Sequence, residues 1–83
     1  MKEQIPNDLI LLIHNNFMVS LDVLREKQDC SLLSPQIGLQ PRDLMMLILL
    51  IEEKFNIKIK ENEIVNNRLD FLVNLVDVLE QQL

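Results

Sequence analysis

The segment Gln40-Pro41-Arg42-Asp43 opens onto eight consecutive apolar residues, Leu44 to Ile51, and closes on Glu52-Glu53-Lys54-Phe55-Asn56. It is the strongest helix signal in the chain. Proline suits the first helical position, where its missing N–H is not needed and its φ is already set. Asp43 falls in the first turn, which the helix dipole favours, and Asn56 can supply a left-handed stop. The pattern predicts a helix from Pro41 to about Phe55. Within it, Leu44, Leu47, Ile48, Ile51 and Phe55 recur at helical spacing and form the core face. The apolar run is far short of the roughly 20 residues that a membrane-spanning helix needs.

The rest of the chain has no Trp, no Tyr and only three Phe. Its core must be made of Leu, Ile, Val and Met, which is the composition of a helical bundle rather than a sandwich. Eighty-three residues, 48% of them hydrophobic and 25% charged, suit a single domain over 1–83 and neither a membrane protein nor a disordered tail. Leu9, Ile10, Ile13 and Phe17 have helical spacing after the start signals Pro6, Asn7 and Asp8. That helix can begin a turn earlier, at Lys2-Glu3-Gln4-Ile5, and should fade near Met18. Leu21, Val23 and Leu24 form a helical turn or an ordered loop. The stretch from Glu26 to Gln40 holds Pro35 and the only glycine, Gly38, yet Leu32, Leu33, Ile37 and Leu39 should pin it to the core. Ile57-Lys58-Ile59 reads as an extended linker and Glu61 to Asn66 as a short helix. Asp70 is placed to cap a last helix with Phe71, Leu72, Leu75, Val76 and Leu79 on one face. The expected order is long helix, long ordered loop, central helix, short helix, final helix.

Thirteen acidic against eight basic residues give a net charge of −5, with no cluster of Lys or Arg. Such a surface repels phosphate backbones, so nucleic acid is not an expected partner. It fits a basic patch on another protein. The one cysteine, Cys30, cannot form an internal disulfide and is ordinary for a reducing compartment. Asn7, Asp8, His14, Asn15 and Asn16 interrupt the N-terminal apolar residues, so no signal peptide is expected and the cytoplasm is the expected location. His14 has no Cys, Asp or Glu cluster around it at metal-ligand spacing, and one glycine cannot make a phosphate-cradling loop. The acid pairs Glu52-Glu53 and Glu61/Glu63 read as solvated helix ends. No metal site, cofactor or active site is expected, and the chain does not read as an enzyme.

Ile37-Gly38-Leu39-Gln40-Pro41-Arg42-Asp43-Leu44, followed by Glu52-Glu53-Lys54-Phe55-Asn56-Ile57-Lys58-Ile59, resembles an acyl carrier protein. That family has an apolar-Gly-apolar segment leading into Asp-Ser-Leu at its second helix, which ends in an acidic pair before an aromatic. The resemblance covers most of the chain from Leu32 to Leu79. It implies an all-α, acyl-carrier-protein-like bundle of three main helices plus one short helix. In the family, the serine carries phosphopantetheine. Here Gln40 stands for the aspartate, Pro41 for the serine and Arg42 for the leucine, so the attachment site is absent. A closer resemblance is to acyl-carrier-related proteins of peptide-maturation gene clusters. These share the Ile-Gly-Leu-x-x-Arg-Asp-Leu form and lack a usable serine. The implied role is a non-catalytic docking or scaffold protein for pathway enzymes or a peptide precursor.

In a carrier domain the outer face of the central helix meets partner enzymes. By that resemblance the partner-binding residues are Arg42, Asp43, Met45, Met46, Leu49, Glu52 and Glu53, with Leu50 beside them. An apolar patch with a charged rim suits a protein interface, and Met adapts to varied partners. Three alternatives stay open. These apolar residues can be plain core, covered by the first and last helices. They can pair with a second copy in a homodimer. Or the chain can be a functional carrier with phosphopantetheine on Ser31 or Ser34, although Pro35, Gly38 and Pro41 separate both serines from the start of the central helix.

Overall fold

The computed structural model describes residues 4–83 and is all-helical, with no β-strand among those residues. Five helices follow one another: α1 (Ile5–Phe17), α2 (Leu21–Glu26), α3 (Pro41–Phe55), α4 (Glu61–Asn66) and α5 (Leu72–Gln82). Three are long, as expected, but two are short rather than one. Leu21-Asp22-Val23-Leu24 resolves into a helix in its own right, with Leu24 buried. α1 begins at Ile5, ahead of the start signals Pro6, Asn7 and Asp8, and the remainder of the earlier start considered for it, Lys2-Glu3, lies outside the described residues.

α1 and α3 are bounded by chemistry visible in the chain. α1 carries Pro6 in its first turn and stops at Met18, which takes a left-handed conformation (φ 59°) and donates its N–H to the His14 carbonyl. The His14 ring then reaches past the stop, its Nδ1 2.7 Å from the Val19 carbonyl. A carbonyl only accepts, so Nδ1 carries the proton. The lone histidine therefore holds the α1–α2 turn. α3 starts at Pro41, with the Asp43 carboxylate accepting the Gln40 N–H at 3.0 Å. It stops at Asn56 in the left-handed conformation (φ 56°).

α1 packs against α5, α2 and α3, and one continuous apolar cluster fills the space between them. The core face of α3 is the expected one: Leu44, Leu47, Ile48 and Ile51 are buried and Phe55 packs against them half-buried. α5 contributes Leu72, Leu75 and Leu79. The long connection from α2 to α3 is part of this core. Leu32 and Leu39 are buried and Ile37 is partly so, whereas Leu33 is exposed: the two leucines are the central residues of a turn that the Ser34 N–H closes on the Ser31 carbonyl at 2.9 Å, with Leu32 on the core side. Gly38 takes a φ of +88° with its N–H on the Ser34 carbonyl, a conformation that side chains rarely adopt.

The capping role expected of Asp70 is not what forms. α5 has Phe71 at its N-cap with no side-chain cap, and Asp70 faces the α2–α3 loop instead. Ser31 and Phe71 form an isolated antiparallel bridge, the Leu32 N–H donates to the Asp70 carbonyl, and Ser31 Oγ donates to Asp70 Oδ2 at 2.7 Å. Arg68, in a left-handed conformation (φ 51°), closes on the same carboxylate through Nε and Nη2 and lies over the Phe71 ring. This clip ties the loop to the α4–α5 turn, across 39 positions of sequence.

Burial alone would push the Asp70 carboxyl up. Hydrogen bonds from Arg68, Ser31 and its own backbone N–H, with the Arg68 charge, outweigh that and hold it below its ordinary value. A carboxyl lowered on folding adds stability above its unfolded pKa and loses it as the pH falls through the lowered folded value. Acidification below about pH 4 should therefore reduce the wild-type urea midpoint more than that of Asp70→Asn. At pH 7 the variant should be about 1 kcal/mol less stable, a modest figure because Arg68 is exposed and its pairing is screened by solvent. Parallel midpoint-against-pH curves for the two proteins would contradict this account of the clip.

Candidate functional site

The outer face of α3 follows from its inner one. With 100° between successive residues, burying Leu44, Leu47, Ile48 and Ile51 turns Arg42, Met46, Leu49 and Glu53 outward as a group. Met45, Met46 and Leu49 are 46%, 52% and 58% exposed, and Leu50 is half-buried at the edge. The plain-core alternative does not describe these three side chains: α1 packs on the buried side of the helix, and no described element covers the outer one. Three adjacent exposed apolar residues on one helix face make a contiguous patch, which is more informative than single exposed residues scattered over a surface.

The four charged residues expected around the patch divide into two pairs. Arg42 and Glu53 are exposed. Asp43 and Glu52 are half-buried, and each is engaged by its own backbone. Asp43 accepts from Gln40, and Glu52 Oε2 accepts the Ile59 N–H at 2.8 Å, fastening the extended segment after α3 to the helix end. A sequence reading has no signal for the second bond, because it depends on how the chain turns after Asn56. Beside it, Leu49, Glu52, Glu53, Asn56, Ile57 and Lys58 line an open depression of about 370 Å³.

At the other end of the helix, Pro41 is the first residue of α3 and is exposed between Gln40 and Arg42, both also exposed. Nothing at that position can act as a nucleophile. An open depression of about 530 Å³ adjoins it, between the α1–α2 turn and the segment leading into α3, lined by Phe17, Met18, Val19, Val23, Ile37, Leu39 and Asp43 among others. The two serines considered as substitutes lie elsewhere in their chemistry. Ser31 Oγ donates to Asp70 and accepts the Leu33 N–H at 3.1 Å. Ser34 Oγ is buried, with no partner among the described residues.

No protein-family model, curated protein or solved structure matches this chain. The outer face of α3 is therefore characterised by its own geometry. It is an apolar centre with a cation at the N-terminal end and an anion at the C-terminal end. Among the described residues there is no group of three His, Cys, Asp or Glu side chains able to hold a metal ion. Nor is any described helix long and apolar enough to cross a membrane.

Proposed function

We infer that this chain is an acyl-carrier-like docking or scaffold protein that has no prosthetic arm, and that it binds pathway enzymes or a peptide precursor through the outer face of α3. The observation that carries the reading is the pairing of two features on one helix. Pro41 stands at the first position of α3, where a carrier has its serine, and Met45, Met46 and Leu49 face outward directly beyond it. An attachment site without a nucleophile and an apolar outer face favour contact over cargo transfer. The engaged hydroxyl of Ser31 and the covered hydroxyl of Ser34 weigh against phosphopantetheine on either. The net charge of −5 favours a protein partner over nucleic acid. A peptide-maturation pathway is the setting that the Ile37 to Leu44 segment suggests, and the cytoplasm is the compartment that goes with it.

Intact mass is the test. After incubation with a broad-specificity phosphopantetheinyl transferase and coenzyme A, the wild-type chain should keep its mass beside a carrier control that gains the arm. The triple variant Gln40→Asp, Pro41→Ser, Arg42→Leu should gain one phosphopantetheine, because it restores the carrier motif at the start of α3. Modification of the wild type at Ser31 or Ser34 would overturn the armless reading. A folded triple variant that stays unmodified would count against the carrier resemblance itself. Docking is read separately: a photo-crosslinker in place of Met46, in cells of origin, should capture a different protein, whereas one replacing the exposed Val73 on α5 should not.

A further inference from the structure

The outward face of α3 has a symmetry that the helix does not need for folding. Arg42, Met46, Leu49 and Glu53 are separated by four, three and four positions, the spacing of a seam along which a second helix can lie. Reversing the helix about a point between Leu47 and Ile48 brings Arg42 onto Glu53, Met46 onto Leu49 and Met45 onto Leu50. An antiparallel copy thus meets each cation with an anion and each apolar side chain with another. Only Asp43 and Glu52 would meet as like charges. They lie on the flanks and are already turned to the backbone N–H groups of Gln40 and Ile59. Arg42 and Glu53 are about 16 Å apart along their own helix, too far to pair within one chain.

We propose that α3 pairs with itself, forming a two-fold antiparallel dimer in which Arg42 of each copy meets Glu53 of the other around a Met46–Leu49 centre. The interface is isologous, as a two-fold axis requires. Its affinity is low. The exposed apolar area per copy is on the order of 300 Å², the size of an ordinary monomer's largest patch. The whole contact stays below the roughly 1,200 Å² of a stable interface. A dissociation constant on the order of 100 μM is what such a contact supports. The dimer keeps the patch from water and leaves it open to any partner that binds better. It does not depend on the carrier resemblance, since it follows from the register of charges on one helix.

Sedimentation equilibrium on the purified chain, from about 10 μM to about 1 mM, tests this without any partner. Wild type should shift from monomer to dimer across that range. Arg42→Glu and Glu53→Arg should each weaken association about tenfold by placing like charges opposite one another. Both changes suit the helix dipole, so neither should unfold α3, and circular dichroism checks that. The decisive sample is the equimolar mixture of the two single variants. Each variant supplies the charges that the other lacks, so a heterodimer should form at least as tightly as wild type, and the double variant should recover self-association. A wild type that stays monomeric throughout, or a dimer indifferent to the charge swaps, overturns the proposal. Either result leaves the docking reading standing, because that is read by crosslinking to a different protein.

Discussion

Replacing Leu47 with alanine should cost about 3 kcal/mol, while the same change at the adjacent Met46 should leave stability within about 0.5 kcal/mol. Leu47 is fully buried and in contact with the core from α3, so truncation removes its transfer free energy and leaves a cavity that its neighbours fill only in part. Met46 is 52% exposed and alanine is the better helix former, so truncation there removes little that holds the fold. A domain of this length is stable by roughly 4–12 kcal/mol, which makes the Leu47 loss a large fraction of the total. Urea titrations followed by circular dichroism read both. The functional readouts should run the other way: Met46→Ala should reduce both dimerisation and capture of a partner by a photo-crosslinker placed at the exposed Met45. If Met46→Ala proved as destabilising as Leu47→Ala, the face assigned to solvent would be core, and both interface readings would fall with it.

The two faces of α3 were legible because helix period and helix boundaries are local. Pro41 and Asn56 mark the ends with residue types that have few other uses, and the apolar spacing between them admits one core face. α2 was legible only as an alternative, since six residues are too few for a period to declare itself. Asp70 was misplaced for a different reason. It stands one residue before a helical pattern, where capping is the usual use of an aspartate, but its actual partner Ser31 is 39 positions away, and no local pattern reports that. Arg68 shows the same limit. Asn66 and Asn67 precede it and tolerate a left-handed conformation better, yet Arg68 adopts it, with its guanidinium on Asp70 and over Phe71. At the candidate site, the period set Met45, Met46 and Leu49 apart from the core face but left burial under another helix open, and only the fold shows them exposed. The backbone engagements of Asp43 and Glu52 needed the fold, and they separate the charges free to meet a partner from those that finish the helix ends.

The connection between α2 and α3 should prove as costly to disturb as a helix. Leu32→Ala is expected to lose about 3 kcal/mol, whereas Leu33→Ala next to it should lose under about 1 kcal/mol. Loops usually tolerate such changes because their side chains lie at the surface. Leu32 is instead fully buried, and its backbone is held on both sides: the N–H donates to the Asp70 carbonyl at 2.6 Å and the carbonyl accepts the Leu39 N–H at 3.0 Å. The first bond fixes the loop to the α4–α5 turn. The second fixes the residue just before Gln40, and so sets where α3 begins. Truncating Leu32 should therefore speed amide hydrogen exchange at Leu39 and Leu44 more than at Ile51, deeper in the same helix, beyond any uniform loss of global stability. Equal acceleration at all three amides would mean that Leu32 supports the core alone. Faster exchange confined to the start of α3 would mean that the loop positions the end of the helix where Arg42 is displayed, linking the Ser31–Asp70 clip to the outer face through which docking and self-pairing are proposed.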